Sequence, residues 1–222
     1  MNPKRGAIFD LDGTLLDSIY VWKKVDSDML KRWGISPVPE GYNRAVAAMS
    51  FQEAAEYTIR RFGIPMAPEE MMAVWHREAC LAYTNDVALK PFAADYLRAL
   101  RNRGVRLAVA TGCLPELYEP ALKRHGIYDL FESFTTLKEV ARGKKFPDIY
   151  QRAAEKMGLP PADCAVFEDV PEGVMAARAG GFFTVAVADP DSASFERELR
   201  AQADVYLENY AQALDSPMLV AF

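Results

Sequence analysis

A chain of 222 residues, half of them hydrophobic and about a quarter charged, has the composition of an ordinary folded protein and the length for one substantial core plus a modest insertion, which excludes a disordered chain. Its net charge of −5 comes without a lysine- or arginine-rich block, which argues against a nucleic-acid or anionic-membrane partner. Three cysteines without a Cys-x-x-Cys pair, and only His76 and His125 as histidines, leave little for a disulfide framework, a zinc site or a Ser-His-Asp triad. Both histidines are expected at the surface. No apolar segment approaches bilayer length, and the N-terminus runs straight into the first strand without a signal-peptide core, so a cytoplasmic location is expected.

In chain order, Ala7-Ile8-Phe9 is an apolar run that ends in Asp10-Leu11-Asp12-Gly13-Thr14, the pattern of a buried strand delivering carboxylates to a sheet edge. Gly13 is positioned to bend the chain, so Asp12 need not point where Asp10 points. Asp17-Ser18 is expected to cap a helix with Val21, Trp22, Val25, Met29 and Leu30 at helical spacing, ending at Gly34. Further helical stretches around 42–49, 51–62 and 68–83, separated by prolines and glycines, contain no convincing strand. They read as a small all-helical unit inserted after the first strand.

Beyond Pro91 helix and strand alternate. A helix to Arg103 precedes a strand over 105–110 ending at Thr111-Gly112, and Pro115 opens another helix. A short strand near 131–135, an amphipathic helix from Phe146 to Met157, a strand Cys164–Phe167 leading into Glu168-Asp169, a helix 171–179, and strands at 182–187 and 203–207 follow. This rhythm predicts an α/β fold, a Rossmann-like doubly wound parallel sheet core, with the helical unit as an insertion. The expected division is 1–16 with 89–222 as core and 17–88 as insertion.

Ligands of open α/β sheets bind beyond the carboxyl ends of the strands. Four polar sites fall there or in nearby loops: Asp10 with Asp12, Thr111, Lys144, and Glu168 with Asp169. Each alone has a plain structural explanation as a turn, cap or solvated charge. Together, in this order and spacing, they resemble the four motifs of the haloacid dehalogenase superfamily in its phosphatase and β-phosphoglucomutase-like branch. The motifs stand as Asp10-Leu11-Asp12-Gly13-Thr14, Thr111, Lys144 before Pro147-Asp148, and Phe167-Glu168-Asp169. The helical insertion then resembles that family's helical cap.

The resemblance implies Asp10 as a nucleophile that becomes an aspartyl phosphate, and Asp12 as the acid and base that serves the leaving oxygen and then water. It implies Mg²⁺ held by Asp10, Asp169, a backbone carbonyl of Asp12, and Glu168 directly or through water. Thr111, the amide near Gly112, and Lys144 would grip the phosphoryl oxygens. Asp12 argues against the dehalogenase branch. Lys145-Phe146 intervene before Pro147-Asp148 where the family's common form has proline after the lysine, so Lys145 stands as a neighbouring alternative to Lys144. A mutase of the β-phosphoglucomutase kind would carry a histidine near the cap hinge, where this chain has Trp22, which favours hydrolysis. A member that only binds a phosphorylated ligand is the third reading, and it has little need of Asp12. The implied substrate is a small phosphorylated metabolite, left open among sugar phosphates, phosphoglycolate and nucleotide monophosphates. Cap residues Arg44, Met49, Gln52, Glu53 and Trp75 are candidates to touch the leaving group, and a monomer is the default expectation because the cap must move.

Overall fold

The computed structural model describes residues 4–47 and 49–215. The described residues form two compact units, those within 4–18 and 87–215 and those within 19–86, by the grouping of their contacts. Eight strands run in chain order β1 (Gly6–Phe9), β2 (Leu16–Asp17), β3 (Ala88–Leu89), β4 (Arg106–Thr111), β5 (Ser133–Thr136), β6 (Cys164–Glu168), β7 (Phe183–Val187) and β8 (Val205–Leu207). The helices are α1 (Tyr20–Arg32), α2 (Tyr42–Ala47), α3 (Phe51–Phe62), α4 (Pro68–Asn85), α5 (Ala93–Asn102), α6 (Pro115–Arg124), α7 (Asp148–Lys156), α8 (Pro171–Ala179), α9 (Glu196–Gln202) and α10 (Tyr210–Asp215).

Six strands make one sheet in the order β5-β4-β1-β6-β7-β8, every pair parallel. This is the α/β Rossmann-like core that the alternating rhythm predicts. The central strands β1, β4 and β6 are apolar through their middles, with Arg106, Thr111 and Glu168 at strand ends, because helices cover both faces. Side chains alternate across the sheet, so Ile8, Ala108, Ala110 and Val166 pack on one face against Ile149 and Ala153 of α7 and Ala176 and Ala177 of α8. On the other face Phe9 stacks on Phe167 at 4.3 Å, Tyr96 of α5 meets Phe167 at 5.8 Å, and Tyr210 of α10 meets Tyr96 at 5.5 Å. The Tyr210 hydroxyl donates to the Thr14 carbonyl at 3.1 Å, tying α10 to the turn after β1.

Register decides where the chemistry collects. Phe9 lies opposite Val109 of β4 and Phe167 of β6, so Asp10, Thr111 and Glu168 leave the sheet at the same edge. The Asp10 amide still donates to the Phe167 carbonyl at 3.0 Å, which carries the pairing one residue past β1.

The antiparallel ribbon of β2 with β3 is too short for a two-residue period to register in the sequence, and the sequence reading has no counterpart for it. Helices α9 and α10 are likewise absent from that reading. The expected cap at Asp17-Ser18 differs too. Helix α1 starts at Tyr20, its N-cap position Ile19 makes no side-chain capping bond, and Ser18 is buried and bonded elsewhere. The two histidines are half-buried rather than surface groups, His125 against the Val87 carbonyl at 2.9 Å and His76 beside the Cys80 sulfur.

The helical unit is built on local signals. In α3, Ser50 and Glu53 form a reciprocal capping box, and Gly63 closes the helix in the left-handed region. Pro68 opens α4, whose stripe of Met71, Trp75, Ala79 and Tyr83 is buried, as are Val21, Val25 and Met29 of α1. At the centre, the buried Tyr42 hydroxyl meets the Thr58 hydroxyl at 2.9 Å, and Thr58 donates to the Ala54 carbonyl. No described helix is long and apolar enough to cross a membrane.

Candidate functional site

Three carboxylates from two adjacent strand ends converge at the sheet edge. Asp10, Glu168 and Asp169 are all buried, and each offers an oxygen within 4.8 Å of the others. Such a cluster would be prohibitive without bracing, and each acid is held by groups from other elements. The Lys144 ammonium lies 2.5 Å from Asp10 Oδ1 and 2.8 Å from Glu168 Oε1. Tyr150 of α7 donates to the same Glu168 oxygen at 2.7 Å. Thr14 donates to Asp169 Oδ1 at 3.2 Å, and Ser192 donates to Asp169 Oδ2 at 3.1 Å.

Two glycines make the room. A β-carbon on Gly13, whose φ is 79°, would stand 2.3 Å from Asp169 Oδ2, and one on Gly173 would stand 2.5 Å from the Glu168 carboxyl carbon. Neither position accepts a side chain without moving a carboxylate.

Electrostatics follow from this packing. Burial pushes the Asp10 carboxyl well above its ordinary range; Lys144 pulls it back, while Glu168, Asp169 and Asp12 push it further up. Burial, then Glu168, raises Asp169 to about 7 against the downward pull of Lys144 and Ser192. For Lys144 burial acts downward, but Asp10 and Glu168 outweigh it and hold the ammonium charged. Fully ionised, three carboxylates and one ammonium leave two negative charges uncompensated. Among the described residues, Glu168 Oε2 is also buried without a hydrogen-bond partner. An all-oxygen donor set with that charge suits a hard divalent cation such as Mg²⁺, so Asp10, Glu168 and Asp169 fit the ion that the sequence motifs imply.

The other sequence-derived residues are distributed around this cluster. Asp12 immediately precedes Gly13 in the turn, and its carboxylate is not one of the three clustered acids; it accepts a bond from Ser18 at 2.6 Å. Thr111 ends β4 fully buried, and its Oγ accepts from the Cys113 amide at 3.0 Å, which leaves the hydroxyl proton to donate. Gly112 is exposed immediately beyond it. Lys145 is exposed, whereas Lys144 reaches the acids, so geometry separates the two lysines that the sequence left side by side. Ser18, Tyr150, Gly173 and Ser192 are the residues that motif reading missed. Ser18 is marked in the sequence only as an expected helix cap and the other three carry no local mark, because the partners of all four lie 5 to 23 positions away and are set by the fold.

Comparisons with known proteins bear on the chain's family and fold. The family model described as haloacid dehalogenase-like hydrolase matches residues 4–181. Hexitol phosphatase A of Escherichia coli is 33% identical over 193 residues, covering 84% of each chain. The probable pseudouridine-5′-phosphatase of Drosophila melanogaster is 32% identical over 191 residues, covering 82% of this chain and 81% of that one. Among solved structures, CbbY of Rhodobacter sphaeroides in complex with phosphate superposes with a TM-score of 0.76 over 94% of this chain and 96% of that chain, at 22% identity, a likeness of fold.

Proposed function

The chain belongs to the haloacid dehalogenase-like hydrolases and is a phosphoric monoester hydrolase, and from that premise we propose that it frees inorganic phosphate from a small phosphorylated metabolite through a covalent phosphoryl intermediate on Asp10, with Mg²⁺ as cofactor. The observation that carries this reading is the convergence of Asp10 with Glu168, Asp169 and Lys144 at one strand edge. Bound Mg²⁺ supplies positive charge that offsets repulsion between these carboxylates and a phosphate dianion.

Each residue then has a role its surroundings allow. An Asp10 oxygen attacks phosphorus as the ester oxygen departs, which splits one difficult displacement into two easier ones. Asp12, outside the group of three clustered acids and oriented by Ser18, hands its proton to the departing alkoxide. It then takes a proton from the water that attacks the acyl phosphate, and phosphate leaves as the Asp10 carboxylate is restored. Lys144, the Thr111 hydroxyl and the amide at Gly112 receive the phosphoryl oxygens as charge redistributes during transfer. Trp22, where a mutase of this kind would carry a histidine, favours water as the acceptor of the phosphoryl group.

The test is phosphate release from a panel of phosphorylated metabolites, with and without Mg²⁺, by wild type and Asp12→Ala. Turnover is expected to require Mg²⁺. Loss of Asp12 is expected to cost about 10²–10⁴ with alkyl esters and much less with activated aryl esters. Equal losses on both ester types would remove Asp12 from its role, and no release from any ester would refute the reading.

A further inference from the structure

The helical unit holds a cavity of about 360 Å³, a size at the lower end for ligand sites. Its wall includes Trp22, Phe51 and Trp75 from three different helices, and Asp26 of α1 lines it as well. The rings do not stack. Trp22 and Phe51 meet edge to face at 5.7 Å and 77°, and Phe51 and Trp75 are tilted by 48° at 5.5 Å. Walls at steep angles make a box, suited to a rounded group, rather than the parallel slot that a flat ring requires. Trp22 and Phe51 keep 38% and 41% of their surface exposed, an apolar cost that a ligand would relieve.

Asp26 supplies the sign of the occupant. It is half-buried, its hydrogen-bond partner is the Tyr42 hydroxyl at a long 3.5 Å, and among the described residues no cation pairs with it. Burial raises its carboxyl to about 6, with the Tyr42 bond pulling the other way, so it is an acid in need of a counter-charge. Lys23 also lines the cavity, but it is an exposed side chain.

We propose that this box receives a methylated ammonium group, held by Trp22, Phe51 and Trp75 and by the carboxylate of Asp26. Aromatic faces attract such cations through the ring quadrupole, and a partly buried carboxylate adds direct charge pairing. The ligand class is therefore an N-methylated amino alcohol, and the box is testable without turnover.

The experiment titrates choline and its uncharged carbon isostere, 3,3-dimethylbutan-1-ol, into the full-length protein, read by tryptophan fluorescence and calorimetry. Choline is expected to bind about tenfold or more tightly than the isostere. Both Asp26→Asn and Trp22→Leu are expected to erase that difference, the second at an exposed position where folding is not at stake. Equal or tighter binding of the isostere, or a difference unchanged in both variants, would overturn the proposal.

Discussion

The two units of this chain place acids in opposite circumstances. At the sheet edge, Asp10, Glu168 and Asp169 are crowded, buried and braced by Lys144, Tyr150, Thr14 and Ser192, so that no carboxylate can swing without breaking a partner. In the helical unit, Asp26 lines a cavity that aromatic rings also line, and it has one long hydrogen bond, from Tyr42. Phosphoryl transfer requires reacting atoms held to a fraction of an ångström, and bracing provides that. Recognition of a cation needs only a cavity of the right shape and sign, and a loosely held acid is enough. Sequence substitutions should therefore be punished sharply in the first region and mildly in the second.

The largest effect is expected for Asp10→Asn. The amide cannot form an acyl phosphate, so covalent labelling by a phosphate ester should vanish in acid-quenched samples and turnover should fall on the order of 10⁴ or more. Because burial disfavours the charged form of Asp10, the neutral variant should be at least as stable to heat as wild type, which separates lost chemistry from lost folding. Labelling at a near-normal rate would remove Asp10 as nucleophile. Gly13→Ala should come next. Its β-carbon collides with Asp169 at 2.3 Å, so Mg²⁺ affinity measured by calorimetry and turnover should both drop about tenfold or more. Gly104 has the same φ of 79° with open space around it. Gly104→Ala should therefore cost only the left-handed backbone strain, about 1 kcal/mol, with Mg²⁺ affinity intact.

This contrast also explains what was legible in the sequence. The six sheet strands and their helices other than α9 and α10 announce themselves through period and spacing, since Ile8 and Phe9 alternate across a buried strand and Asp10 follows at its end, while the motif residues stand out through their resemblance to a family. The bracing does not. Tyr150 reads as one more apolar position of an amphipathic helix, and only the fold turns its hydroxyl onto Glu168. Ser18 carries a capping signature, yet its hydroxyl is spent on Asp12 because the chain bends at Gly13 and returns through β2. Gly173 looks like a blemish in α8 until the Glu168 carboxylate is seen to occupy the space of its missing side chain. Local physics writes elements into sequence; partners drawn together by tertiary packing leave no local trace.

The two adjacent lysines test the comparison at closer range. Lys144→Ala removes the ammonium that contacts Asp10 and Glu168, and should lower kcat/KM for phosphate esters by about 10². Lys145→Ala removes an exposed charge and should stay within about twofold of wild type. Steady-state kinetics of both variants at several ionic strengths decides it: a loss shared equally between the two positions would mean that the loop contributes only a general positive field.

The smallest effect belongs to Asp26, and its sign follows from linkage. Its folded carboxyl titrates at about 6 against an ordinary value of 3.8, so between these limits the folded chain binds more protons than the unfolded one. Stability then falls as pH rises through that window, and the cost persists in full above it. Asp26→Asn removes the slope while keeping the shape. The variant should match wild type near pH 4 and exceed it above pH 6 by ~1 kcal/mol after solvent screening, about 2–4 °C in thermal melts. Lys23 and Tyr42 are the charged and titratable neighbours whose own variants control for indirect effects. Adding choline should close the gap by stabilising wild type alone, since only the carboxylate gains a partner; a gap unchanged by choline would place the acid's counter-charge somewhere other than the aromatic box.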